Sequence, residues 1–399
     1  MAIIGLIFAT LTPIQFSASA VEIIPAIAES DYPYVAGLAR AQVLAGAPLS
    51  NNQIKVNYRI EPGVPAANEK LIKENVSNFV KYFDPELSYS SDPLEIIVYK
   101  TIAGGKELAS TLSDYYQKTV TSYFKNGAVD PANFECMPMR AVTFGGKRLI
   151  FYEAPCETKV ATTAVFDPVL APHELTHAVQ SAINKGFGCR ESGSAIWLCE
   201  GQANVVGSVF ALNEGADYWK TGRSQMWSAF IPKDRPRTIE DLKVMESETD
   251  PNKGVKLTDK SQVLSEYYAG AALSEYLIAW GGLSNSLRIQ QLSYASQSGI
   301  YGFRDAFQAI YGISISTFYE QALPYVNYVA NNPDQTDTTS AAATKFVSER
   351  MPKKIIVATV KVTPTKVAPT KKTITCVKGK LTKKVTAVNP TCPSGYKKK

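Results

Sequence analysis

The sequence predicts an α+β protein with a small mixed sheet near its N-terminus, a mainly helical part after it, and a basic C-terminal tail. Three observations lead to this expectation. In the body of the chain, strand-like alternation occurs only before about residue 155. Apolar positions with helical spacing dominate from residue 171 to residue 329. Residues 351–399 contain 13 Lys and no Asp or Glu, so the remaining 29 basic and 36 acidic side chains give residues 1–350 a net charge of −7.

The first 20 residues have the features of a secretory signal peptide. An apolar stretch is followed by Ala18-Ser19-Ala20, a small-residue pattern typical of cleavage sites. No Lys or Arg precedes Arg40, so the usual basic opening region is absent, and a buried N-terminal helix is the alternative. We expect export to the extracellular side, with no later segment able to span a membrane.

Residues 21–65 form an N-terminal segment, which contains the alternating strand 52–60 and is a candidate propeptide. A helix is predicted from residue 66 to Phe83, because Asp84-Pro85 would end it. Strands rich in β-branched and aromatic residues are expected at 94–100 and 147–154. Six helices follow, at 171–184, 198–213, 262–280, 285–296, 302–311 and 314–329.

The composition changes near Asn331. We therefore predict one main domain over 66–330, a polar linker rich in Lys, Thr and Pro over 331–372, and a small basic segment over 373–399 that a disulfide closes. Six cysteines suit an oxidising compartment. Short loops favour pairing Cys136 with Cys156, Cys189 with Cys199 and Cys376 with Cys392, although six cysteines permit 15 connectivities.

The two histidines of the chain, His173 and His177, lie four residues apart in HELTHAVQ. On a helix, such residues differ by about 40° in azimuth and about 6 Å in rise, so both imidazoles reach one ion. Pro172 suits the first helical turn. Glu174 lies one step round the helix, where it can reach a water on the same metal. This is the HExxH pattern of two zinc ligands and a general base, and bound zinc lowers the pKa of water to about 7.

The third protein ligand must be a residue other than histidine, which excludes the HExxHxxGxxH class. Glu200 lies 23 residues after His177, in AIWLCEGQANVVGS, which reads as the opening of the next helix. An antiparallel return helix would bring this carboxylate to the metal. Cys199 as a ligand, and Glu200 as a solvated charge at a helix start, are the alternatives.

With these residues the chain resembles the gluzincins, the thermolysin-like zinc metallopeptidases with HExxH and a later glutamate ligand. WLCEGQA looks like the WLxEGxA segment found near the aminopeptidase branch. The resemblance covers about residues 65–330 and implies a zincin-like catalytic domain with one catalytic Zn²⁺. It implies His173, His177 and Glu200 as zinc ligands and Glu174 as general base. The family has a carboxylate four residues after the ligand glutamate; Asn204 stands there and could still accept the ring N–H of the first histidine.

A second resemblance lies in SEYYAGAALSEYLIAWGG, which looks like the Y-x-x-G helix of the same branch. It implies that the Tyr267 hydroxyl stabilises the oxyanion, with Tyr268 as the alternative. The other interpretation is that Tyr267 only packs in the core. The GxMEN-type loop of the aminopeptidases is absent upstream of His173, which favours an endopeptidase. Strand 147–154 is expected to pair with extended substrate by β-augmentation.

The expected function is therefore a secreted zinc metallopeptidase, and we expect a monomer that acts on peptide or protein. The Lys-rich tail would hold it on an anionic cell-surface polymer, with a solubilising tail as the alternative. Specific nucleic-acid binding is not expected, because Tyr396 is the one aromatic residue of the tail. Two other functions stay open. The same zinc site could cleave a non-peptide amide or ester, or the fold could be a catalytically silent surface protein.

Overall fold

A computed structural model describes residues 24–47, 54–87, 93–112, 140–144, 149–153, 167–184, 194–228, 236–247, 260–295, 302–334, 336–351, 372–379, 381–387 and 390–399. The chain divides into two compact units, Met1–Met351 and Pro352–Lys399. The expected signal peptide 1–20 lies outside the described residues. Among the helices that are described, none is both long and apolar enough to cross a membrane.

The sheet of the first unit has four strands in the order β1-β2-β4-β3. They are β1 (Val56–Ile60), β2 (Leu94–Tyr99), β3 (Arg140–Phe144) and β4 (Leu149–Glu153). The first, second and fourth strands run parallel, and β3 runs antiparallel to β4 at the edge. Every residue of β2 is buried, as expected for a central strand covered on both faces.

A short 3-10 helix (Glu29–Asp31), twelve α-helices and one short hairpin complete the described elements of the first unit. They are α1 (Tyr32–Gly46), α2 (Ala66–Leu87), α3 (Ile102–Ser110), α4 (Leu170–Ile183), α5 (Ile196–Phe210), the hairpin β5 (Leu212–Asn213) and β6 (Ala216–Asp217), α6 (Trp219–Ser228), α7 (Ile239–Ser247), α8 (Lys260–Gly281), α9 (Leu283–Ala295), α10 (Phe303–Tyr311), α11 (Ile315–Asn331) and α12 (Ala341–Arg350).

The α+β class is confirmed, and the predicted helices and strands recur with small shifts at their ends. Helix α2 continues to Leu87, but Phe83 has non-helical dihedral angles, so the chain kinks next to the predicted stop. Five helices were not predicted: α1, α3, α6, α7 and α12. The expectation that strand 147–154 pairs with substrate is wrong, because β4 is hydrogen-bonded on both sides; the edge strand is β3.

Helix α5 is the centre of the helical part, and all its residues are buried. It packs against α4 on one side and α8 on another. A helix that is covered all round must satisfy its polar side chains inside the protein. Glu200, Gln202 and Asn204 of α5 are therefore held by internal partners rather than by solvent.

Two glycines allow α5 and α8 to cross at close range. A Cβ on Gly201 would lie 2.1 Å from the carbonyl oxygen of Gly270, and a Cβ on Gly270 would lie 3.0 Å from the Cα of Trp197. The Trp197 side chain is fully buried, and its Nε1–H donates to the Tyr319 hydroxyl at 2.9 Å. These glycines belong to WLCEGQA and YYAG, so the two sequence motifs meet at this crossing.

The N-terminal segment is built into the same core. Val35, Leu38 and Val43 of α1 are fully buried, and α1 packs against α8. Ahead of α1, the Ile27 N–H donates to the Tyr276 hydroxyl at 3.1 Å, and the Ile24 carbonyl accepts from Trp280 Nε1–H at 3.2 Å. These contacts make the segment part of the core of the first unit, and its assignment as a candidate propeptide stays a prediction.

The C-terminal part of the first unit also departs from the expected linker. Helix α12 lies within residues 331–372; Phe346 is buried, and its ring lies 5.7 Å from that of Tyr34 in α1. The Ser340 Oγ accepts the Ala343 N–H at 3.0 Å and so caps the helix. Composition concealed this helix, because its apolar residues are mostly alanines and it follows a polar stretch; its buried residues are Ala343 and Phe346.

The second unit contains a three-stranded antiparallel sheet in the order β8-β7-β9. Its strands are β7 (Lys372–Lys378), β8 (Leu381–Ala387) and β9 (Lys397–Lys398). The Cys376–Cys392 disulfide is present, as predicted, and Cys376 is fully buried. The bridge ties β7, through its buried Cys376, to the segment before β9.

We expect Gly201→Ala to lower the free energy of unfolding by about 3 kcal/mol, the upper end of the usual overpacking cost, because the new methyl would meet backbone that cannot retreat. Urea unfolding measures the change. Gly302→Ala is the matched control, since a Cβ at Gly302 meets nothing within 4 Å. Equal stability of the two variants would contradict the close crossing.

Candidate metal centre

The start of α4 positions both histidines. The Asp167 carboxylate accepts the Val169 N–H at 2.9 Å just before the helix, and Pro172 lies in the first turn, as predicted. His173 and His177 then project from one face, with their rings edge to face and their centroids 4.8 Å apart. Gly207 of α5 lies against the backbone of His173: a Cβ on Gly207 would be 2.9 Å from the His173 backbone nitrogen. The two helices are thus close enough to share a site.

Three atoms converge between α4 and α5. The His177 Nε2 lies 3.2 Å from the His173 Nε2 and 3.1 Å from the Glu200 Oε2, and the His173 Nε2 lies 3.5 Å from the same oxygen. The fold therefore brings together the three residues that the sequence suggested as ligands. Glu200 is 6% exposed, so its alternative assignment as a solvated charge at a helix start is wrong.

The spacing of these atoms fits a tetrahedral zinc ion. Zn–N and Zn–O bonds of about 2.05 Å at the tetrahedral angle require ligand atoms about 3.3 Å apart. The three distances here, 3.1, 3.2 and 3.5 Å, bracket that value. Two imidazoles and a carboxylate are also a donor set that zinc accepts in open sites with three protein ligands.

Hydrogen bonds at the far side of each ring leave the inner nitrogens available. The His173 Nδ1–H donates to the Asn204 Oδ1 at 2.8 Å, which is the contact predicted for Asn204. The His177 Nδ1–H donates to the Gln180 Oε1 at 2.8 Å. With the protons on Nδ1, both Nε2 lone pairs face Glu200. Gln180 was missed in the sequence, although it stands one turn after His177 in HELTHAVQ.

The charged groups at the centre shift one another's pKa values. Burial lowers the pKa of His177, but the carboxylates of Glu200 and Glu174 outweigh it and raise that pKa to about 9. Burial would raise the pKa of Glu200, but the facing His177 holds it well below its usual range. Lone pairs that converge at 3.1–3.5 Å repel each other unless a proton or a metal ion lies among them.

Glu174 adds a second carboxylate beside the ligand atoms. Its side chain is 7% exposed, and one of its oxygens lies within 4.8 Å of the ligand nitrogens of His173 and His177. Among the described residues, His173, Glu174 and His177 form a group of potential metal-binding side chains at this spacing, in addition to the closer group that Glu200 makes with the two histidines. A carboxylate at that distance is suited to take a proton from water at the site.

Cys199 is not a third ligand. It forms a disulfide, so it has no thiolate to offer a metal. Its partner lies outside the described residues, as do Cys136, Cys156 and Cys189, so the pairings expected for those cysteines stay predictions. The disulfide constrains the backbone next to the site, because Cys199 directly precedes Glu200.

The Tyr267 side chain lies outside the described residues, as does that of Tyr268. The backbone of Tyr267 belongs to α8, one turn before Gly270, the glycine that meets Trp197 and Gly201. The fold thus brings the helix that carries Tyr267 against the helix that carries Glu200.

Comparisons with known proteins give no relative. No protein-family model matches the sequence, and neither curated proteins nor solved structures match it. The case for a metal centre therefore depends on the geometry of the chain itself.

We expect Glu200→Gln to weaken zinc binding by more than about 100-fold, because losing a direct ligand should cost more than the 10–100-fold typical of outer contacts. Competition with a chromogenic chelator measures the affinity. Cys199→Ser is the informative comparison, since it removes the alternative ligand and leaves the three converging atoms in place. Weaker binding in Cys199→Ser than in Glu200→Gln would contradict the assignment.

Proposed function

We propose that this chain is a secreted zinc-dependent metallopeptidase, with His173, His177 and Glu200 as the ligands of one catalytic zinc ion. The observation that carries the proposal is the triangle of His173 Nε2, His177 Nε2 and Glu200 Oε2 with edges of 3.1–3.5 Å. The buried Glu174 carboxylate beside it adds the proton acceptor that hydrolysis requires.

Zinc, when bound, supplies a Lewis acid that lowers the pKa of water and polarises a scissile carbonyl. The residues of the chain do the remaining work. Glu174 takes the proton from the attacking water and passes it to the departing amine. The Asn204 and Gln180 amides hold the two imidazoles by their Nδ1–H groups. Burial of Glu200 and Glu174 strengthens their interactions with a cation.

Tyr267 is proposed to stabilise the oxyanion that forms when water adds to the carbonyl. The resemblance of YYAG to the Y-x-x-G helix suggests this role. The close crossing at Gly201 and Gly270 supports it, because it holds the turn after Tyr267 against the helix of Glu200. Tyr268 is the alternative, and both residues lie on the same helical turn.

An extended peptide substrate would pair with the edge strand β3. Its outer edge makes no strand pairing among the described residues, and α4, which carries His173 and His177, packs beside it. Pairing along a strand suits an endopeptidase, because backbone hydrogen bonds bind a chain at any point along its length. The missing GxMEN-type loop supports the same choice over an aminopeptidase.

We expect Glu174→Gln to keep about one zinc per chain and to lose at least about 100-fold in casein hydrolysis, as general-base removal usually costs 10²–10⁴-fold. Metal analysis and release of acid-soluble peptide measure the two quantities. Glu69→Gln, on the surface of α2, is the matched control and should keep full activity.

Each alternative function has its own outcome in that experiment. Hydrolysis of a small ester or anilide that requires Glu174, with no cleavage of casein or peptides, would favour a non-peptide substrate. Zinc-loaded protein that hydrolyses neither would favour a silent binding protein. Zinc-free protein purified without chelators, or an unimpaired Glu174→Gln variant, would overturn the proposed function.

We further propose that the second unit holds the protein on an anionic cell-surface polymer. Among the residues of this unit that the structure describes, six lysines are exposed, and no acidic residue occurs after Arg350. The exposed lysines are Lys378, Lys383, Lys384, Lys397, Lys398 and Lys399. Strand pairing puts Lys384 opposite Thr375 and Lys397 opposite Val377, so one face carries both ammonium groups between threonines. Such a face attracts polyanions.

We expect the variant with Gln at Lys383, Lys384, Lys397 and Lys398 to elute from immobilised polyphosphate at much lower salt than the parent, because each lysine near an anionic surface contributes about 1 kcal/mol. The control carries the same change at Lys70, Lys106, Lys220 and Lys345, which are exposed in the first unit. Equal elution of both variants would favour a solubilising tail. Failure of high salt to release the protein from cells would contradict electrostatic retention.

A further inference from the structure

A chain of buried amides extends from His177 away from the metal centre. Gln180 accepts from the His177 ring, and its Nε2–H₂ donates to the Cys199 carbonyl at 2.9 Å and to the Gln202 Oε1 at 3.2 Å. The Gln202 Nε2–H₂ donates to the Ser286 Oγ at 3.0 Å, and Gln290 donates to the Gln202 Oε1 at 2.5 Å. Gln180, Gln202, Ser286 and Gln290 are all fully buried.

Two backbone carbonyls fix the direction of every hydrogen bond in this chain. The Ser286 hydroxyl donates its single proton to the Leu283 carbonyl at 2.9 Å, so its oxygen must accept from Gln202. The amide nitrogen of Gln202 therefore faces Ser286, and its oxygen faces Gln180. The Gln180 nitrogen must then point to Gln202, and the Cys199 carbonyl, which can only accept, demands the same orientation.

The consequence reaches the imidazole of His177. With the Gln180 nitrogen committed to Cys199 and Gln202, its oxygen is the atom left to face the His177 Nδ1 at 2.8 Å. Since that oxygen only accepts, the ring proton must lie on Nδ1, and the lone pair of Nε2 points to His173 and Glu200. A flipped amide would face two acceptors with its oxygen and would leave buried groups unpaired.

We propose that Gln180 and Gln202 are positioning residues that lock the tautomer of the neutral His177 ring, so that its Nε2 lone pair points to the zinc site. The lock extends to α9, which carries Ser286 and Gln290 and contributes no ligand. It also couples the ring to the Cys199 carbonyl, which adjoins Glu200, so one network holds two of the three ligands in register. This inference rests on the proposed zinc site and adds residues that the HExxH pattern does not include.

The two histidines of the chain make the lock directly measurable. Protein labelled with ¹⁵N in histidine shows four ring nitrogens, and their shifts report which nitrogen of each ring carries the proton. We expect Nδ1 to be protonated on both rings in zinc-free protein at a pH above the ring pKa. A proton on the Nε2 of His177 would overturn the proposal, whether or not the protein binds zinc.

Variants of similar volume test the contribution to metal binding. We expect Gln180→Met to raise the zinc dissociation constant by about 10–100-fold, the usual effect of losing a partner outside the ligand set. It should also lose the slowly exchanging Nδ1–H signal of His177. Gln202→Met should have a smaller effect in the same direction, because Gln180 then keeps only the Cys199 carbonyl.

Asn75→Leu is the matched control, because it removes another fully buried, hydrogen-bonded amide that lies outside this network. It should lower stability and leave zinc affinity and the His177 signal unchanged. Parent protein that binds no zinc would defeat the proposed function. Parent protein that binds zinc, with Gln180→Met and Gln202→Met equal to Asn75→Leu in affinity, would defeat the lock alone. If Gln180→Met does not fold, the Gln202→Met affinity and the parent ¹⁵N shifts still decide.

Discussion

The complete burial of α5 is the constraint on which the rest of the structure depends. A helix with no exposed face must satisfy each polar side chain from its neighbours, and α5 carries a carboxylate and two amides in its middle. Glu200 is satisfied by the histidines of α4, Asn204 by His173, and Gln202 by the amides of α4 and α9. The close approach at Gly207 brings His173 of α4 within reach, and that at Gly201 packs α8 against the same helix. The packing of α5 therefore also determines the hydrogen-bond partners of its polar side chains.

The same constraint explains why the site suits a cation. Glu200 is buried and the His177 side chain is 18% exposed, and each shifts the pKa of the other towards its charged form against the effect of burial. Removing charged groups from water costs free energy that only a close opposite charge can offset. A divalent ion among the three converging atoms would remove the repulsion between the lone pairs and would offset the negative charge of Glu200 and Glu174. A second buried pair, Arg223 with Glu275, solves the same problem without a metal, by two parallel hydrogen bonds at 2.9 Å.

Predictability varied along the chain for physical reasons. Helices such as α4, α10 and α11 have apolar positions on one face and can therefore be predicted from the sequence. Helix α1 is rich in Ala and Gly and exposes Leu44, so its pattern has little contrast between faces. Strand β3 was missed, and with it the edge of the sheet, because pairing order depends on partners far apart in the chain. The tail hairpin was foreseen because its alternation and its two cysteines are local signals.

For the site, the sequence by itself determined the candidate ligands. A helical period puts His173 and His177 on one face, and the lack of any further histidine directs the search to Glu200. Both are consequences of residue type and spacing. Only the tertiary structure decided that Glu200 meets the histidines at 3.1–3.5 Å, that Cys199 is bridged, and that Gln180 and Gln202 fix the imidazole of His177. Hydrogen-bond direction and distance across helices depend on how the helices cross, and no local pattern encodes that crossing.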